Sequence, residues 1–170
     1  MQTGDVVFFN KSSDIISRGI SLFTKSQYTH VGIVYEADFY TTTIAEALAD
    51  GFQINTYQNS DIHNKLMKSK LVVKRPRLDI NKKLIKESIE SKLGRPYGFK
   101  DIFRIAIYKI FGFKFGGDDP DKLICSEAVA RVLYRTNSKI NLSKEFNKPF
   151  DYISPGNIFH SKQLEFVNPL

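Results

Sequence analysis

The stretch that decides the fold is "YTHVGIVY", Tyr28 to Tyr35. It reads as a buried β-strand, with Val31, Ile33 and Tyr35 on one face and Gly32 and Val34 on the other. A titratable ring, His30, stands at its mouth. Downstream, "VGIVYEADFYTTTIAEA" has the pattern of a β-hairpin. With a three-residue loop, Ala37 to Phe39, Glu36 faces Tyr40 and the register sets His30 directly opposite Glu46. Opposed residues on antiparallel strands share a face, their Cβ atoms about 5 Å apart. With a loop two residues longer, Glu46 faces Gly32 and lies diagonal to His30, still within reach. A loop of two or four residues would place Glu46 between those pairings; either odd-length loop makes a histidine–carboxylate pair, which would fix the imidazole tautomer and favour its protonated form.

The strands extend on both sides of this hairpin. "DVVFFN" (Asp5 to Asn10) enters through Gly4, "TTTIAEAL" (Thr41 to Leu48) is rich in β-branched residues, "GFQINTY" follows Gly51, and "KLVVKRP" stops at Pro76. "SDIISRGISLFTK" reads as a short helix after the first strand. The second half turns helical. In "DINKKLIKESIESKLG", Leu84, Ile85, Ser88, Ile89 and Leu93 recur at helical spacing, Asp79 or Asn81 can cap the start, and Gly94 and Pro96 end it. "FKDIFRIAIYKIFG" has a wide apolar face, Ile102 to Phe111, read as core, with a membrane or acyl-chain contact as the alternative. After the loop "GFKFGGDDPD", "KLICSEAVARVLYRT" is a further helix with Ile124, Ala128, Val132 and Tyr134 near its packed side. Ser154–Pro155 opens a capped turn, and "QLEFV" reads as a last strand. The whole is an α+β domain, an antiparallel sheet packed against helices.

Composition limits the function classes. A chain of 170 residues fits one domain, residues 1–170. No run approaches the roughly 18 apolar residues of a membrane span, and the start lacks a secretory pattern, so a cytoplasmic location is expected, delivery elsewhere by another route aside. The net charge of +7 suits an anionic polymer, but lysines are scattered and do not interleave with aromatic residues, which argues against nucleic acid. His30, His63, His160 and Cys125 lie far apart with no CxxC or HExxH spacing, so no metal and no cofactor are expected.

Cys125 is the lone cysteine. A thiol at a helix start, an imidazole to take its proton and a carboxylate to orient the ring are the parts of nucleophilic cysteine catalysis. Local signals leave the helix start open. Asp119 with Pro120 is a cap-plus-first-residue signal that places Cys125 more than one turn inside, and local rules favour it. A start near Ile124 would put Cys125 at the tip. Each residue alone also has a plainer reading: His30 bonded to backbone, Glu46 solvated, Cys125 in the core.

"GDVVFF", "YTHVGIVY", "AEALADGF", "GRPYGF", "ICSEAV" and "SPGNIF" occur in the order of the circularly permuted papain-like proteins of the NlpC type, the YiiX-like group. Related permuted proteins include poxviral members and lecithin:retinol acyltransferase-like enzymes. The chain resembles this group from Gly4 to about Val167, with "CSEA" where the ordinary enzymes have "CSG". The resemblance implies a permuted papain-like fold with Cys125 at a helix start as nucleophile, His30 as base and Glu46 as the third polar residue. It implies that Tyr97, in "GRPYGF", sits beside the cysteine and binds substrate or polarises its carbonyl, while Gly4–Asp5 serves turn geometry. The activity implied is a thiol hydrolase acting on a peptide, isopeptide or cell-wall amide bond. The alternatives are acyl transfer from a lipid or other acyl donor by the same triad, and a binding module whose triad is silent.

Overall fold

The computed structural model describes residues 1–10, 27–98 and 123–167. Six strands form one antiparallel sheet in the order β4-β3-β2-β1-β5-β6. They are β1 (Val6–Asn10), β2 (Tyr28–Ala37), β3 (Thr41–Leu48), β4 (Gly51–Gln58), β5 (Leu71–Pro76) and β6 (Leu164–Phe166). The helices are α1 (Asn59–Met67), α2 (Lys82–Glu90), α3 (Cys125–Thr136), α4 (Leu142–Phe146) and α5 (Pro155–His160). The segments 13–25, 99–112 and 112–121, read above as two helices and a loop, lie outside the described residues, as does the apolar face that suggested a membrane or acyl contact. No helix among the described residues is long and apolar enough to cross a membrane.

Alternation along the strands sorts two apolar layers. Val6, Phe8, Val31, Ile33 and Ala45 meet Ile85 and Ile89 of α2 and Ala128, Val129 and Val132 of α3 in the main core. Val7, Val34, Ile44 and Val73 form a smaller layer on the other face, under Ile62 of α1. α2 starts where Asn81 accepts the backbone N–H groups of Lys83 and Leu84 at 3.0 and 3.1 Å, which satisfies two donors that the helix cannot pair. It ends at Glu90, before the expected stop, so Leu93 falls outside it and is exposed. Tyr134 is likewise exposed, against the packed position expected of it.

Gly4 has φ +92°, and a Cβ there would lie 2.1 Å from Ile80 Cδ1, so the turn into β1 needs glycine. The next residue, Asp5, is fully buried. Arg75 clamps its carboxylate through Nε at 2.7 Å and Nη2 at 2.9 Å, and the Gln2 N–H donates to it at 2.9 Å. That accounts for Gly4–Asp5 by folding alone.

The β2–β3 hairpin corrects the three-residue loop. Glu36 pairs with Thr43 and Ala37 with Thr42, while Ile33 pairs with Ala45, so one residue of β2 bulges between Val34 and Glu36. Asp38 caps the turn by accepting the backbone N–H groups of Tyr40 and Thr41, each at 2.7 Å. Carried forward, this register sets Glu46 beside Gly32 and diagonal to His30. A Cβ on Gly32 would fall 2.6 Å from Ile44 Cγ2 and 3.4 Å from Glu46 Cβ. Gly32→Ala is therefore expected to destabilise the fold by about 1–3 kcal/mol through overpacking. Urea unfolding checks this, and a neutral result would contradict the close approach of β2 and β3.

Candidate functional site

The site is built where a strand ladder stops. β1 stays paired with β2 down to Tyr28, and β3 with β4 up to Leu48 and Gly51, but the β2–β3 pairing ends at Ile33 and Ala45. His30 and Glu46 lie past that end. Val34 directs its N–H to Asp5, on the β1 side, at 2.8 Å. By alternation Val31 directs its own toward β3. The donor is used by the sulfur of Cys125, which accepts it.

A bulge re-aims His30. Asn10 pairs with Tyr28 and Phe9 with His30, leaving Thr29 as an extra residue. The ring lies 5.3 Å from that of Phe9, centroid to centroid, and its side chain is 21% exposed. Nε2 meets Glu46 Oε2 at 2.7 Å. The ring also hydrogen-bonds the Cys125 thiol, for which Nδ1 is the nitrogen left.

Glu46 is 2% exposed and fully engaged. Its other oxygen, Oε1, accepts from Asn55 Nδ2 at 3.0 Å and from the Tyr57 hydroxyl at 2.5 Å. Sequence reasoning missed both residues. The signal was present in "QINTY": Glu46 pairs with Gln53, so Asn55 and Tyr57 continue the same face of β4. Burial alone would raise the Glu46 carboxyl, yet His30, then Tyr57 and Asn55, hold it below its ordinary value. Burial and then Glu46 push the Tyr57 hydroxyl up.

Cys125 is the first residue of α3. Ile124 before it is extended, with φ −99° and ψ 156°, which overturns the earlier start signalled by Asp119–Pro120. Tertiary pairing explains the correction. The Leu123 N–H donates to the Pro96 carbonyl and the Gly98 N–H to the Leu123 carbonyl, each at 3.1 Å, in an isolated parallel bridge of Tyr97 with Leu123. A residue held in that bridge cannot also be helical. Ser126 then ties the first turn down, its hydroxyl donating to the Ile153 carbonyl at 2.6 Å.

The bridge also delivers Tyr97, whose hydroxyl hydrogen-bonds the sulfur. The sulfur accepts as well from the Ser126 N–H. Burial, then the charge on Cys125 and its hydrogen bond, raises the Tyr97 hydroxyl. Burial opposes ionisation of Cys125 itself, but the His30 hydrogen bond and charge, with the Val31 and Ser126 N–H groups, outweigh it and bring the thiol below its ordinary value. Burial opposes the charge on His30 too. Hydrogen bonds that the ring donates to Cys125 and Glu46, with their charges, outweigh it and raise the ring to about 10. Both shifts run in the direction of a thiolate–imidazolium pair, which a helix N-terminus also favours.

The structure thus brings Cys125, His30, Glu46 and Tyr97 into one hydrogen-bonded cluster. His63, on α1, and His160, at the end of α5, are exposed and outside it. Among the described residues no group of three or more His, Cys, Asp or Glu side chains could hold a metal ion.

No protein-family model matches this chain, and no curated protein does. Among solved structures, it is similar to the metalloprotein YiiX from Escherichia coli O157:H7, with a TM-score of 0.66 and 21% identity over 98% of this chain and 96% of that one. The chain therefore has a YiiX-like fold. The word metalloprotein describes that neighbour; the residues clustered here offer one thiol, one imidazole and one carboxylate already taken up by each other.

The ion pair has a pH signature. The thiolate is lost as pH falls through the lowered Cys125 value, and the imidazolium is lost as pH rises through about 10. Alkylation of Cys125 by iodoacetamide is expected to have its midpoint below the roughly 8.5 of a free thiol, and His30→Ala to move it back to that value or above. A wild-type profile matching free cysteine would overturn the ion pair.

Proposed function

We propose that this protein is a thiol hydrolase of the permuted papain-like type, cleaving an amide bond through an acyl-enzyme on Cys125. The observation that carries the reading is the His30 ring, bonded on one side to the thiol of a helix-start cysteine and on the other to a buried carboxylate. That order of groups is what nucleophilic cysteine chemistry requires.

In the proposed reaction the Cys125 thiolate attacks the carbonyl carbon. The carbon–nitrogen bond breaks, and the departing amine takes its proton from the His30 imidazolium. The product is a thioester. Neutral His30 then takes a proton from water as the oxygen attacks the thioester carbon. The carbon–sulfur bond breaks, the acid is released, and thiolate and imidazolium are restored. Glu46 keeps the ring oriented and stabilises its charge in both halves. Tyr97 would donate to the oxygen that becomes negative, a role supported by the hydrogen bond of its hydroxyl with the sulfur. A net charge of +7 suits an anionic polymer such as cell wall, and peptide, isopeptide and cell-wall stem-peptide amides are the bonds to test.

A panel of such amides, read by product release and by intact mass, tests the proposal. Cys125→Ala is expected to lower turnover by roughly 10³-fold or more. Glu46→Gln should fall less, on the order of 10²-fold, because an amide oxygen still accepts a hydrogen bond from the ring but cannot stabilise the imidazolium. Product that appears only when an amine or alcohol acceptor is added would reassign the site to acyl transfer. No turnover and no adduct across the panel, with a thiol no more reactive than free cysteine, would leave a binding module.

A further inference from the structure

Tyr57 stands on β4 but serves a residue of β3 that does not face it. Across the ladder it pairs with Thr42, whereas Glu46 pairs with Gln53, four residues further along. The side chain therefore leans along the sheet, and its hydroxyl donates to Glu46 Oε1 at 2.5 Å. Three elements hold the ring on that course. β4 sets its backbone. The Phe9 ring of β1 lies 6.4 Å from it, centroid to centroid, and the Lys65 ammonium of α1 stands over its face, 5.3 Å from the centroid. An aromatic face attracts a cation, so α1 bears on the ring from its own side.

What this achieves depends on a proton. Glu46 Oε2 and His30 Nε2 are 2.7 Å apart, and a proton between them can rest on nitrogen or on oxygen. Burial favours oxygen, because a neutral acid beside a neutral imidazole leaves no charge to desolvate. Donors at the far oxygen favour nitrogen, because they bind a carboxylate more strongly than a carboxylic acid. Two donors meet there, Asn55 Nδ2 at 3.0 Å and the Tyr57 hydroxyl at the shorter distance. Burial and then Glu46 push that hydroxyl up, so it keeps its proton and remains a donor. The other ionisable groups around this centre, among the described residues, are Cys125 of α3 beyond the ring, Tyr97 at the sulfur and Lys65 of α1.

We infer that Tyr57 is a positioning residue of the thiol site: through Glu46 it keeps the shared proton on His30, and so sets how far into acid the site stays competent. Its part in turnover rests on the hydrolase reading. The sign follows from the contacts. Removing a donor from an ionised carboxylate raises the pH at which that carboxylate takes up a proton. Once Glu46 is protonated it no longer stabilises the imidazolium, and His30 has no charge opposite it when the leaving amine needs a proton. Without the Tyr57 hydroxyl the acid limit therefore moves to higher pH. Since Tyr57 acts through Glu46, its loss should slow the chemical step and leave substrate binding as it is.

Tyr57→Phe tests this, since it removes the hydroxyl and leaves the ring between Phe9 and Lys65. The Glu46 carboxyl carbon is followed by NMR through a pH titration of the whole chain, its signal assigned by its loss in Glu46→Gln. The Glu46 midpoint is expected to rise in Tyr57→Phe. It should stay in place in Tyr40→Phe, a tyrosine exposed at the β2–β3 hairpin tip. With an amide substrate, kcat should fall about tenfold in Tyr57→Phe with KM unchanged, the loss expected of one hydrogen bond to a charged group. In a Glu46→Gln background the same substitution should cost less than about twofold, because the carboxylate it serves is already gone. An unmoved Glu46 midpoint in Tyr57→Phe would overturn the inference. So would equal losses in the two backgrounds, or a higher KM at constant kcat, which would make Tyr57 a substrate contact. The carboxyl titration needs no substrate, so a shifted midpoint in a protein that cleaves no amide would count against the hydrolase reading alone. An unshifted midpoint beside Cys125-dependent turnover would count against Tyr57 alone.

Discussion

The candidate site depends on the gap between β2 and β3. Had the ladder continued past Ile33 and Ala45, the Val31 N–H would have been consumed by a β3 carbonyl, and no opening would exist for the start of α3. Because the ladder stops, Glu46 and His30 meet as side chains across the opening, and the sulfur takes the spare donor. Buried backbone N–H groups must be paired somewhere. Here one is paired with the atom proposed to do the chemistry, which links the end of a sheet to the ionisation of a thiol. Gly32 lets the two strands come close enough for this, since any larger residue would press on Ile44 and Glu46.

Support for the imidazole runs outward in layers. Glu46 holds the ring, Asn55 and Tyr57 hold Glu46, and Phe9 lies against both His30 and Tyr57, with ring centroids 5.3 and 6.4 Å away. Each member is placed by strand register, so the orientation of the ring is fixed by backbone pairing several residues from it. The likeness to YiiX extends over nearly the whole chain at low identity, which speaks for the architecture. The chemistry has to be argued from these contacts.

Much of this was legible in the sequence. Thr41–Leu48 was readable to its ends from β-branched alternation, the cap of α2 was narrowed to Asp79 or Asn81, of which Asn81 serves, and Ser154–Pro155 was read as a capped turn, where Ser154 and Asn157 form a reciprocal capping box that opens α5. His30 and Glu46 were paired by hairpin geometry. The bulges at Thr29 and before Glu36 were not readable, because an extra residue in a strand leaves no trace in apolar pattern. α1 was missed because Ile62 is its only buried residue and no side chain caps its start. The start of α3 at Cys125 agrees with what the family resemblance implied, while the local cap signal Asp119–Pro120 pointed to an earlier start, because Leu123 is claimed by Tyr97, distant in sequence.

The four donors around the Cys125 sulfur, from His30, Tyr97, Val31 and Ser126, have a kinetic consequence. A thiolate so well solvated by its protein is a weaker nucleophile than its ionisation suggests, since nucleophilicity falls with basicity. By the same reasoning it is a good leaving group. In a thioester cycle at this sulfur, bond making to carbon is the step that is held back and bond breaking is the step that is helped. Catalytic strength would then be spent on the first half of the cycle, where a tight grip on the substrate counts most.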